Sequence, residues 1–271
     1  MRFRPCIDIH NGKVKQIVGG SLRDERDLAE ENFVTEKTAD DYARLFRQDG
    51  LKGGHVILLN APSSPYYKQD MHQAALALET YPGGLQIGGG VTAENAAGYI
   101  QAGASHVIVT SYVFRNGEIQ WDHLEKLARA VGSSRVVLDV SCRKKDGKYY
   151  IVTDRWQTFT KVQLSEEILY WMKEYCDEFL VHGVDAEGKA SGMEEGLVEL
   201  LAGTEGIPIT YAGGIGSLEQ LEHFRKISGE KLDFTIGSAL DLYGGTIPYD
   251  LVKTYGNAGD GQEKDENMSC L

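Results

Sequence analysis

The sequence predicts an α/β fold: a single (β/α)8 TIM barrel built by internal half-barrel duplication. Two observations carry this. Eight short apolar runs alternate with eight amphipathic stretches, and the two halves of the chain repeat the same signals in the same order. The strand candidates are Arg4–Ile9, His55–Asn60, Gly84–Ile87, His106–Thr110, Arg135–Val140, Phe179–His182, Ile207–Tyr211 and Phe234–Ile236. They are rich in Val, Ile and Leu without clean alternation, as strands buried on both faces of a parallel sheet are.

The helix candidates between them are Ala39–Gln48, Met71–Glu79, Ala93–Gln101, Trp121–Ala130, Ser165–Tyr175, Glu194–Leu201, Ser217–Arg225 and Tyr249–Thr254. Thr92, Ser165 and Ser217 are candidate N-caps, with Ser217 and Gln220 spaced as a capping box, while Gly50, Gly103 and Gly132 mark C-terminal ends. Alternation alone also fits a doubly wound sheet, and the repeat favours the closed barrel. Two long segments interrupt the march, Gly19–Lys37 after the first strand and Ser141–Lys161 after the fifth. Both are expected to be loops over the catalytic face, since long loops in a compact domain tend to be lids or disordered. The barrel is assigned to residues 1–256, and the polar stretch 257–271 is expected to be a disordered tail.

At 271 residues, with 42% hydrophobic and 25% charged content, one large core is within reach. The net charge of −12 and the lack of a Lys/Arg-rich run argue against nucleic acid or an acidic membrane surface as partner. Cys6, Cys142, Cys176 and Cys270 form no C-x-x-C pair and have no His cluster beside them, so neither a disulfide scaffold nor a zinc site is expected. With no signal-peptide core at the N-terminus and no apolar run of membrane-spanning length, a cytoplasmic, monomeric protein is expected.

The repeat is detailed. A strand ending at Asp8 corresponds to one ending at Asp139, and each leads into a Gly-Lys turn, Asn11-Gly12-Lys13 and Asp146-Gly147-Lys148. Next His55–Asn60 matches Phe179–Asp185, Gly88-Gly89-Gly90-Val91 matches Ala212-Gly213-Gly214-Ile215, and Val109-Thr110-Ser111 matches Ile236-Gly237-Ser238. A Gly pair between a strand and a helix lets backbone N–H groups approach an anion. Gly89, Gly90, Thr110 and Ser111 therefore form one candidate phosphate site, and Gly213, Gly214, Gly237 and Ser238 a second. Two anion sites across one barrel mouth suggest a small molecule with a phosphate at each end. Asp8 and Asp139, ending opposite strands, face each other over it as a candidate acid–base pair.

The segments Arg4–Val18, Gly88–Val91, Phe179–Asp185 and Tyr211–Ile215 resemble, in combination, the eukaryotic-type phosphoribosylformimino-5-aminoimidazole carboxamide ribotide isomerases of histidine biosynthesis, over roughly residues 2–255. That resemblance implies an Amadori rearrangement of an aminoaldose to an aminoketose, with no metal or organic cofactor. It implies Asp139 as general acid at the ribose ring oxygen and Asp8 as general base at the carbon next to the imine. His10, Arg155, Trp156 and Asp185 are further candidates for substrate contact, each with an alternative as a packing or strand-end residue. The chain departs from the bacterial isomerases at Leu59-Asn60, where they carry an acidic residue, and at Gly183, where they carry Thr. Residues Ala186–Gly192 do not align without a gap.

Two other readings compete. A cyclase barrel of the same pathway shares the two aspartates and two phosphate sites, but its first strand reads Leu-Asp-Val before a Gly, and this one reads Ile-Asp-Ile-His. A non-catalytic barrel that binds phosphometabolites would gain nothing from two carboxylates that repel its ligand.

Overall fold

The computed structural model describes residues 1–17, 31–187 and 192–255. Eight strands, Cys6–His10, Gly54–Leu58, Leu85–Gly88, Val107–Val109, Val136–Asp139, Glu178–His182, Ile209–Ala212 and Asp233–Thr235, pair in parallel, each with the next. The ring closes where Phe3 bridges Phe234: the Arg4 N–H donates to the Phe234 carbonyl at 2.8 Å and the Phe234 N–H to the Arg2 carbonyl at 3.0 Å. All eight expected strands form, within two residues or so of the expected ends.

Their apolar residues point both ways, to the barrel interior and to the helices, and bury on both sides. Ile7, Val56, Ile87, Val107, Leu138 and Phe179 are all inaccessible. The strand beginnings meet in a polar floor. Arg4 pairs with Asp233 at 2.9 Å and Glu178 at 3.6 Å, while Glu178 accepts from Gln86 at 2.8 Å and from Thr210 at 2.5 Å. Each buried charge there has an opposite charge and hydrogen bonds, which is what makes its burial tolerable.

The helices also lie where expected, with local corrections. Ser165 and Ser217 cap as expected, accepting from the N–H of Ile168 and Gln220. Gln220 Oε1, however, accepts from the Gly216 N–H at 2.7 Å rather than from Ser217, so the capping box is only half made. The helix expected at Ala93 begins at Ala96. Asn95 is the reason: its side chain accepts from the Thr92 N–H and donates to the Gly90 carbonyl, holding the preceding turn out of the helix.

The larger correction concerns Ser141–Lys161, expected as a loop. It is mostly a three-stranded antiparallel sheet of Cys142–Lys145, Lys148–Thr153 and Thr158–Gln163. Its first turn places Asp146 and Gly147 at φ 51° and 77°, a mirror-image hairpin turn that matches strand twist. The first half repeats this. Cys6–His10 turns through Asn11 and Gly12, at φ 53° and 75°, into Lys13–Ile17, which pairs with Glu31–Val34. The second half of the segment expected as a loop after the first strand is therefore partly strand, and its residues 19–30 lie outside the described residues, as do 188–191 and the tail from 256.

Candidate active site

Asp139 ends its strand, and Asp8 sits in the middle of Cys6–His10, where Ile9 and His10 carry the strand on into the hairpin. Both line a cavity of about 380 Å3 on the face opposite the polar floor. Gly89, Gly90, Thr110 and Ser111 line the same cavity. A second, smaller cavity of about 30 Å3 is lined by Gly213, Gly214, Gly237 and Ser238. Asp8, His182 and Glu187 border both. Each candidate phosphate cradle thus opens on one side of a shared central group. The two Gly pairs have matching backbones, φ 104° and 70° at Gly89-Gly90 and 116° and 80° at Gly213-Gly214.

The central carboxylates are perturbed. Burial pushes the Asp8 pKa up to about 7. Its one described polar partner is distant, Gln16 Nε2 at 3.4 Å from Oδ2. Glu187 is also pushed up to about 7, by burial first and then by the negative charge of Asp8, and its Oε2 is buried without a hydrogen-bond partner. Two coupled carboxylates of this kind share a single proton near neutral pH. Burial raises both groups, and the Asp8 charge adds to it at Glu187, so the shared proton belongs to the pair.

Asp139 has a different setting. Burial raises its pKa, and hydrogen bonds from Ser141 and Thr110 pull it partly back. Its Oδ1 accepts from the Ser141 N–H at 2.9 Å and from the Ser141 hydroxyl. Thr110, expected as a phosphate ligand, is thus also a partner of the candidate acid. Ser111, expected in the same role, accepts from the Asp154 N–H at 3.2 Å and so ties the hairpin sheet to the fourth strand.

That sheet carries Arg155 and Trp156 to the larger cavity. Asp154, Arg155 and Trp156 are consecutive left-handed residues, at φ 52°, 56° and 66°. Such a conformation costs roughly 1–2 kcal/mol for each residue with a Cβ. It turns the Trp156 ring onto His182, with ring centroids 5.0 Å apart. Burial lowers the His182 pKa to about 4, so its imidazole is neutral near pH 7.

Two candidates are not brought to either cavity. Asp185 is held by Arg143 Nε at 2.8 Å and by the Lys144 N–H at 3.2 Å, anchoring the hairpin. His10 is 2% exposed and lines neither cavity. Glu187, Gln16 and Ser141 were missed by the sequence reading. The Glu187 segment is the one that resists alignment, and Ser141 had only its place two residues after Asp139 to signal it. Among the described residues no three His, Cys, Asp or Glu side chains gather as a metal-binding group, and no helix is long and apolar enough to cross a membrane.

Residues 2–248 match the family described as histidine biosynthesis protein. The chain is 52% identical over 261 residues to a chloroplastic protein of Medicago truncatula, covering 95% of this chain and 82% of the relative. It is 44% identical over 248 residues to a protein of Neurospora crassa (90% and 93% covered) and 42% identical over 252 residues to one of Yarrowia lipolytica (90% and 93%). All three relatives are named 1-(5-phosphoribosyl)-5-((5-phosphoribosylamino)methylideneamino)imidazole-4-carboxamide isomerase.

Proposed function

The chain belongs to the histidine biosynthesis protein family, and from that membership we propose that it isomerises the carboxamide for which its relatives are named, an aminoaldose, to the corresponding aminoketose. The single observation that carries the chemistry is a pair of perturbed carboxylates, Asp8 and Asp139, on one cavity between two glycine cradles. The relatives are named isomerases and not cyclases, which favours the isomerase over the cyclase alternative.

The cradles at Gly89-Gly90 and Gly213-Gly214 take the two phosphates, with Ser111, Gly237 and Ser238 beside them. The substrate then lies across the mouth with its reacting ribose between the aspartates. Asp139 gives its proton to the ring oxygen, the C–O bond to the anomeric carbon breaks, and the nitrogen lone pair forms an iminium. Asp8 takes the proton from the adjacent carbon, and that electron pair neutralises the iminium to give an enaminol, which tautomerises to the ketose. The substrate's own nitrogen is the electron sink, so this sequence calls on no added cofactor. Glu187, which borders both cavities beside Asp8, is placed to share its proton, so that one carboxylate of the pair is ionised as the base. A monomer acting in the cytoplasm on this bis-phosphorylated compound is part of the same reading.

Turnover of the purified protein with the aminoaldose, beside Asp8→Asn and Asp139→Asn, tests it. Each variant is expected to lose about 10²–10⁴-fold in kcat while staying folded. Folded wild type without turnover would overturn the reading, and an active variant would overturn the role of its aspartate.

A further inference from the structure

Ser141 is fully buried and two residues beyond Asp139. Its hydroxyl meets three groups: Oδ1 of Asp139, the backbone N–H of His182 at 2.9 Å and the ring Nδ1 of His182 at 2.9 Å. A hydroxyl has one proton to give and two lone pairs to receive with. The His182 N–H can only donate, which fills one lone pair. Oδ1 of Asp139 takes the hydroxyl proton, beside the Ser141 N–H that it already accepts. The remaining lone pair faces Nδ1, so Nδ1 must carry the hydrogen. The neutral His182 is thereby fixed with Nδ1 protonated and Nε2 bare.

We propose that Ser141 is a positioning residue for the acid proton: by filling Oδ1 of Asp139 with two donors it confines that proton to Oδ2, and it fixes His182 with Nε2 as an acceptor. This rests on the reading of Asp139 as the acid of the isomerisation. A carboxylic acid whose Oδ1 accepts two hydrogen bonds keeps its O–H on the other oxygen, so the proton is pre-oriented before substrate arrives. Thr110 bonds the same carboxylate, and its hydroxyl can receive as well as give, so it is compatible with a proton on Oδ2. The other ionisable groups around Asp139 are His182 on the sixth strand with His55 behind it, Cys142 and Arg155 of the hairpin sheet, and Asp8 and Glu187 across the cavity. His182 borders both cavities, so its bare Nε2 belongs to the ring that sits between the two cradles.

The test is steady-state kinetics of the full chain on the aminoaldose across pH 6 to 9, for wild type, Ser141→Ala and Ser141→Thr. Removing one of the donors that favour the ionised carboxylate raises the Asp139 pKa, so the alkaline limb in Ser141→Ala moves up by about one pH unit. Its kcat is expected to fall roughly tenfold with KM within about twofold, because the cradles are untouched. Ser141→Thr, which keeps the hydroxyl, returns the limb to its wild-type place. A Ser141→Ala protein that is merely less stable, with an unmoved limb, overturns the proposal. Nitrogen NMR of ¹⁵N-imidazole-labelled wild type gives a readout apart from activity, with His182 assigned by its loss in His182→Gln. A protonated Nδ1 with a bare Nε2, becoming a tautomer mixture in Ser141→Ala, supports the proposal. A protonated Nε2 in wild type overturns it, whether or not the protein turns over the aminoaldose, so this failure is separable from failure of the isomerase reading.

Discussion

Asp8 is held at a cost to stability, and Asp8→Asn should stabilise the protein as it inactivates it. The carboxylate's pKa stands at about 7 against its ordinary 3.8. A raised carboxylate pKa means that the native state binds its proton more tightly than the unfolded chain does. Stability from this group is therefore complete below the unfolded pKa and is lost as pH rises through the window from 3.8 to about 7. At about 1.4 kcal/mol per pH unit, the full loss is about 4 kcal/mol. Asp8 is half-buried and borders a cavity that water can enter, so about half of this, ~2 kcal/mol, is the working expectation. Asn at this position has nearly the same shape, keeps a contact for Gln16 and removes the charge. Urea unfolding of wild type and Asp8→Asn at pH 5.5 and 8.5 measures it. The variant should be the more stable at pH 8.5, by ~2 kcal/mol, and its advantage should shrink by roughly half at pH 5.5. A variant less stable at pH 8.5, or an advantage equal at both pH values, would refute the account of Asp8 as a desolvated base.

Two more outcomes follow from geometry. A Cβ added at Gly89, where φ is 104°, would lie 2.3 Å from the Leu58 carbonyl oxygen. Gly89→Ala should therefore lower stability by about 2 kcal/mol and raise KM through the displaced cradle. Gly98, inside the helix Ala96–Gln101, has nothing within 4 Å of an added Cβ. Gly98→Ala should be neutral in activity and stabilising by about 0.5–1 kcal/mol, and thermal unfolding of the pair separates cradle strain from general glycine effects. Trp156→Ala removes the ring tilted against His182. It should raise KM roughly tenfold while leaving unfolding unchanged within about 0.5 kcal/mol, and an unaltered KM would mean that the ring only packs the hairpin.

The barrel was legible because strands buried on both faces must be apolar throughout, and the eight runs stand out against charged helices. The face that carries the candidate site followed from the same logic, since a carboxylate closing an otherwise apolar strand, as in Val136–Asp139, has nowhere to go but the mouth. The hairpin sheet was harder. Arg143, Lys144 and Lys145 make its first strand look like a solvated loop, because an exposed antiparallel strand need bury only part of one face. The signal that was present was Asp146-Gly147, a residue pair suited to a mirror-image turn, followed by Tyr149, Ile151 and Val152. Asp185 was misleading for a related reason. Its place after the sixth strand suits substrate binding, but Arg143 claims it, and that partner belongs to the hairpin that had been read as a loop.

The two halves of the barrel share a backbone and differ in what surrounds their aspartates. In the first half the hairpin is anchored by a neutral side chain, Asn60, which accepts from the Asn11 N–H at 2.8 Å and donates to the Asn11 side chain at 2.9 Å. In the second half the corresponding anchor is the Asp185–Arg143 ion pair, which holds the sheet that carries Arg155 and Trp156 over the cavity. The same divergence reaches the carboxylates. Asp8 has a distant amide and a neighbouring carboxylate with which it shares a proton, which suits a group proposed to receive one. Asp139 has two donors fixed on a single oxygen, which suits a group that must hold its proton on the other and release it in one direction. Duplication supplies two equivalent strand positions on one cavity; Gln16 and Glu187 on one side, Ser141 and Thr110 on the other, give the two carboxylates the different surroundings that the proposed base and acid require.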